Sequence, residues 1–90
     1  MNKIPGSIRV QCTHDLRREL KRNGSERCFL MLDEIKSWTG VKDAWFTNNR
    51  DTDILVELEV NNLDQGKDLE SKIRSMDGVE DARLAMAIEA

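Results

Sequence analysis

Ile8, Val10 and Cys12 alternate with Arg9, Gln11 and Thr13, the period-two pattern of a strand with one buried face. From Asp15 the period lengthens. Leu16 and Leu20 stand four apart amid Arg17, Arg18, Glu19, Lys21 and Arg22, which predicts a helix, and Asn23-Gly24 supplies the left-handed residues that end one. Ser25 can cap a second run, in which Cys28, Met31, Leu32, Ile35 and Trp38 recur at helical spacing before Thr39-Gly40 stops it. The spacing leaves open whether residues 15–38 make one kinked helix or two. Val41 to Thr47 reads as a strand of branched and aromatic residues, closed by the turn-prone Asn48-Asn49-Arg50-Asp51. Ile54, Val56, Leu58 and Val60 then alternate with Leu55, Glu57 and Glu59 as a third strand. Asn62 and Gln65 are spaced like a capping box ahead of Leu69, Ile73 and Met76, a helix whose first turn Gly66 weakens. Val79, Ala82, Leu84, Met86 and Ile88 give the fourth strand.

The order is βαββαβ, and amphipathic helices laid on one face of a four-stranded antiparallel sheet bury both apolar sets at once. The expected class is therefore α+β, of ferredoxin-like topology, as a single domain over residues 1–90 with residues 1–6 as a loose N-terminal tail. An internal pseudo-symmetry supports it: Trp38-Thr39-Gly40-Val41 and Met76-Asp77-Gly78-Val79 each pass a helix to a strand at Gly-Val. No longer repeat is expected.

Composition narrows the function classes. With 39% hydrophobic and 34% charged residues and a single Pro, the chain is that of a folded protein. The N-terminus has no apolar signal region and no stretch suits a membrane span, so a cytoplasmic location without membrane partners is expected. Cys12 and Cys28 lack metal or redox spacing and read as buried free thiols. The net charge of -3 opposes direct nucleic-acid binding. The charge is uneven, however: seven Lys/Arg against three Asp/Glu in residues 1–27, and seven against fourteen in the remainder. His14 has no ligand partner beyond Asp15, no nucleophile and base are marked out, and no phosphate loop occurs. No catalytic residue, metal or cofactor is expected.

Residues 28 to 88 resemble the ligand-binding domain, called RAM, of the leucine-responsive/asparagine regulator family (Lrp/AsnC). The matching points are the helix ending in Trp38-Thr39-Gly40-Val41, the strand Asp43 to Thr47, the Asp53 that opens the third strand, and Met76-Asp77-Gly78-Val79. The resemblance implies this same fold, pairing through the sheets into dimers or larger rings, and an amino acid or similar effector near the loop between the second and third strands. Arg50 stands where the family has the Gly of a Gly-x-x-Asp element, and Ala82 and Leu84 stand where it has Thr. Residues 1–27 are too short for the family's helix-turn-helix domain, so a stand-alone module is expected, with a separate regulator protein as one potential partner.

Three surfaces are candidates. In the loop, Asn48, Asn49, Arg50, Asp51 and Asp53 could grip a zwitterion, Arg50 taking a carboxylate and an Asp the ammonium, or could simply build a tight turn. On the sheet's outer face, Trp45, Thr47, Leu55, Ala85 and Ala87 lie among Glu57, Arg83 and other charges, a mixture that points to an interface with a second copy, with Arg9 or Arg83 meeting Glu57 or Glu59 across a twofold axis. On the first helix, Arg17, Arg18, Lys21 and Arg22 form a basic stripe opposite Leu16 and Leu20, either a solvated face or a contact for phosphates or an acidic neighbour. The function expected is that of a small oligomeric regulatory domain binding a small effector. The alternative is a protein-interaction adaptor or peptide-binding chaperone that uses the open sheet.

Overall fold

A computed structural model describes residues 3–21, 26–49 and 51–87. The elements are β1 (Ile4–Cys12), α1 (His14–Lys21), α2 (Glu26–Lys36), β2 (Val41–Asn49), β3 (Thr52–Val60), α3 (Leu63–Arg74) and β4 (Val79–Met86). The four strands form one antiparallel sheet in the order β2-β3-β1-β4, the ferredoxin-like arrangement. Among the described residues of 15–38, helix runs to Lys21 and again from Glu26 to Lys36. The expected stop at Asn23-Gly24, the cap at Ser25, and the positions of Arg22, Arg50 and Ile88 lie outside the described residues. One expectation fails at the N-terminus: β1 begins at Ile4, and Ile4, Pro5 and Gly6 pair with Val60, Glu59 and Leu58, so these three are sheet and not tail.

The alternation in the sequence carries through to the core. Ile8, Val10, Ile54, Val56, Leu58 and Val60 are all fully buried, and Leu16, Cys28, Ile35, Leu69 and Ile73 close over them from the helices. Asn62 caps α3 by accepting from the Gln65 N–H at 2.8 Å, while Gln65 Oε1 accepts from the Asn61 N–H at 2.8 Å, one residue earlier than a capping box would have it. Gly66 is a site of close approach. A Cβ there would sit 3.1 Å from Met86 Sδ and 3.3 Å from Leu84, so the glycine lets α3 settle on β4.

The internal repeat is longer than expected. Gly40-Val41-Lys42-Asp43-Ala44 and Gly78-Val79-Glu80-Asp81-Ala82 share the pattern Gly-Val-x-Asp-Ala and the same conformation. Both glycines have positive φ, 95° and 90°, which a side chain would strain. In both, the valine N–H returns to the carbonyl three residues back, at Trp38 and Met76. In both, the register slips by one residue at the x position, so that the valine and the alanine three residues on both face inward. Ala44 and Ala82 are 1% and 0% exposed. Each aspartate folds back onto the alanine N–H that follows it, at 2.8 Å and 2.9 Å.

Contacts from α3 also guard the β4 edge. Glu70 Oε2 accepts from the Leu84 N–H at 2.6 Å and Arg74 Nε donates to the Ala82 carbonyl at 2.8 Å, so side chains of the helix take up edge groups that could pair with another chain.

Candidate functional site

α1 and the β2–β3 hairpin enclose a cleft of about 560 Å³ lined by Arg17, Leu20, Lys21, Phe46, Thr47, Asn48, Asn49 and Asp53. Two of the expected surfaces therefore converge. Asn48, Asn49 and Asp53 come from the loop region, and Arg17 and Lys21 from the basic stripe. The helix presents them because Leu16 is buried in the core, while Arg17, Leu20 and Lys21, at i, i+3 and i+4, turn toward the hairpin. Leu20 stands beside the cations and not opposite them, contrary to the expected division of the helix. Arg18 is exposed and does not line the cleft.

Asp53 is committed to the fold. Its Oδ2 accepts the Cys12 N–H at 2.8 Å, just past the last backbone pair of β1 and β3, Val10 with Ile54. A buried N–H at the end of a ladder needs such an acceptor. Arg17 balances the charge, with Nε at 3.3 Å and Nη2 at 3.2 Å from the same oxygen, and Nη2 also donates to the Cys12 carbonyl at 3.3 Å. The Cys12 thiol lies beneath this clamp. Burial pushes it up to about 12, and the neighbouring Asp53 carboxylate pushes in the same direction, so it remains protonated and inert. Lys21, by contrast, has no ion-pair partner among the described residues. Phe46 forms an apolar wall, braced by Phe29 of α2 in an edge-on contact with ring centroids 6.1 Å apart.

Two assignments move. Thr47, expected on the open sheet face, lines this cleft, because a second register slip between Phe46 and Asn49 shifts the strand, and its hydroxyl donates to the Thr52 carbonyl. Asp51, expected with the loop ligands, lies on the other side of the sheet, in a pocket of about 310 Å³ with Arg9, Gln11, Thr52, Asp81 and Arg83. The signals for Leu20 and Phe46 as cleft walls were present but mute, since an apolar residue at core spacing does not reveal that it sits at the rim.

The open face lacks Thr47 but carries Trp45 and Leu55 on neighbouring strands. Trp45 pairs with Leu55, and Leu55 with Arg9, across β2, β3 and β1, and the Trp45 ring is 39% exposed. The charges are more internally engaged than the twofold scheme supposed. Glu57 and Glu59 flank Lys42 at 3.7 Å and 3.4 Å, and Arg83 meets Asp81 at 3.2 Å. The Glu59 hydrogen bond, then the charges of Glu57 and Glu59, raise the Lys42 pKa, and Arg83 together with the Ala82 N–H lowers that of Asp81. Arg9 and Arg83 are direct cross-strand neighbours, a like-charge pair on an outward face.

The molecule is thus a ferredoxin-like domain with a polar cleft at its hairpin and one sheet face that no described helix covers. Solved structures share this fold. A Thermus thermophilus protein superposes with a TM-score of 0.72 at 14% identity over 97% of this chain and 95% of its own. An AsnC family transcriptional regulator from Agrobacterium tumefaciens gives 0.68 at 15% identity over 99% of this chain and 52% of the regulator. A transcriptional regulator from Neisseria meningitidis, solved as a complex with L-methionine, gives 0.64 at 17% identity over 96% and 50%. This chain spans about half the length of the two regulators, and at these identities the likeness is one of fold. The Agrobacterium protein belongs to the family that residues 28 to 88 resemble. No family model and no curated protein matches the sequence. No helix among the described residues is long and apolar enough to cross a membrane.

Proposed function

We propose that this chain is a regulatory domain of the RAM type, that it pairs with a second copy through the Trp45 face, and that it binds a small zwitterion such as an amino acid in the cleft between α1 and the β2–β3 hairpin. It carries out no catalysis in this reading. The observation that supports it most is the make-up of the cleft. Lys21 is a cation unpaired among the described residues, Arg17 offers guanidinium N–H groups beside it, Asn48 and Asn49 offer amide groups, and Leu20 and Phe46 offer an apolar wall. That combination suits a carboxylate, an ammonium and a hydrocarbon side chain held together. The methionine complex of the Neisseria meningitidis protein, which has this fold, lends further support.

Asp53 plays a different part from the one its position suggests. It orders Arg17 and the end of β1, so the ammonium falls to the amide oxygens of Asn48 and Asn49. Thermal denaturation with a panel of free amino acids tests the reading. A subset at millimolar concentration raises the melting temperature of the wild type, and Lys21→Ala abolishes the rise. A flat panel counts against the cleft, and a monomer at all concentrations counts against the pairing.

A further inference from the structure

Between α2 and the C-terminal end of α3, with no lining residue in common with the hairpin cleft, lies an open groove of about 710 Å³. Its α2 wall is a stripe at four-residue intervals, Glu26, Leu30, Glu34 and Trp38, running from the first residue of the helix to just past its last. Met31 and Met76 lie at its base, and Lys72 and Asp77 line the far side. Leu30 is 61% exposed, and its neighbour Phe29 53%, on a helix whose core contacts are already supplied by Cys28, Met31, Leu32 and Ile35. Leu30 is thus apolar beyond what the core requires, whereas Phe29 is engaged with Phe46.

The charges of the groove do not cancel. Arg27 is spent on Glu19 at 3.6 Å and Asp77 at 3.2 Å, and the Lys72 ammonium sits 4.3 Å from the centre of the Trp38 ring. Glu26 and Glu34, on either side of Leu30, make no ion pair among the described residues, although Arg27 and Lys72 line the same groove. The wall is therefore apolar in the middle, acidic above and below, and aromatic at one end. Between Glu26 and Glu34 it runs about 12 Å at the helical rise, room for two turns of another helix.

We infer that this groove is a docking site for a basic amphipathic helix of a protein partner, whose apolar ridge lies on Leu30, Met31 and Trp38 and whose Lys or Arg residues meet Glu26 and Glu34. The acidic rim disfavours nucleic acid and favours a cationic segment. Methionines at the base suit a helix-in-groove contact because their side chains adapt to the ridge. The site is separate from both the effector cleft and the Trp45 face, so it stands whether or not the proposed function does.

The test uses the full chain with Trp45→Phe, which leaves Trp38 as the sole indole, and a helical peptide of about 14 residues with Leu along one face and Lys flanking it, long enough to span the wall. Saturable change in Trp38 emission is expected, weakened about tenfold or more by Glu26→Lys with Glu34→Lys. Leu30→Ser, at an exposed position that folding does not need, is expected to weaken it as well. No saturable change overturns the inference, as does equal binding of the same peptide with Glu in place of Lys, or binding that ignores the charge reversal. If Leu30→Ser instead splits a dimer of the peptide-free protein, the groove belongs to a second copy and the assignment of a basic partner falls.

Discussion

The two Gly-Val-x-Asp-Ala segments are the same device used twice, and the strands that leave them diverge at once. After Ala44 comes Trp45, then Phe46 and the hairpin; after Ala82 comes Arg83, then Leu84 and Ala85. Trp45 and Arg83 occupy equivalent places on the open face, at opposite edges of the sheet. The β2 copy leads into the cleft and carries the exposed indole, whereas the β4 copy leads into an edge held by Glu70 and Arg74 of α3. The four shared residues secure the turn, the bulge and one small core residue. What differs beyond them is where recognition is available.

The largest effects should come from breaking the shared part. Gly40→Ala would place a Cβ 2.8 Å from Gln65 Nε2 and Gly78→Ala one 2.8 Å from Leu16 Cδ2, each at positive φ, so each should cost about 2 kcal/mol in urea unfolding. Both meet the core, Gly78→Ala at Leu16 and Gly40→Ala at Leu69 and Val60, each 3.2 Å away, beyond the flexible Gln65. Next comes Asp53→Ala at the end of the ladder, which strands the Cys12 N–H and releases Arg17. A loss of about 2 kcal/mol is expected, with Arg17→Ala costing less because its guanidinium is partly in water.

Two pH effects are smaller. The Cys12 thiol is raised in the folded state from its ordinary 9.0 to about 12, so its contribution to stability is complete below pH 9 and is lost as the pH climbs from 9 toward 12. Urea midpoints should fall across that window, and Cys12→Ala, though less stable at neutral pH, should show a shallower fall. Asp81 has its carboxyl held below the ordinary 3.8, chiefly by Arg83, so its contribution is present above that value and is lost as pH drops beneath it. Acid titrations of Asp81→Asn should be slightly flatter than those of the wild type.

The fold was readable because each strand keeps one face apolar and each helix one stripe, and residues such as Ile54, Val56 and Leu58 signal by period alone. Bulges defeated the same reading. Thr47 follows Trp45 by two and should share its face, but the slip before Asn49 turns it into the cleft. Asp53 could not be recognised as a ladder cap without knowing that Cys12 ends β1 beside it. Phe29 and Leu30 passed unnoticed inside an apolar run whose other members fill the core, and the aspartate-alanine half of the repeat was hidden because only Gly and Val stand out as turn and strand signals. The convergence of Arg17 and Lys21 with Asn48 and Asn49 is a tertiary fact, set by how α1 crosses the sheet.

Light scattering on the wild type and on Trp45→Glu bears most directly on the claim that the uncovered face is where a second copy sits. Trp45 is partly exposed and outside the core, so the variant should still fold, with a melting temperature lowered by the loss of association. The wild type is expected to have the mass of a dimer or larger assembly and the variant that of a single chain. A wild type with the mass of one chain at every concentration, or a variant that stays assembled, would contradict it.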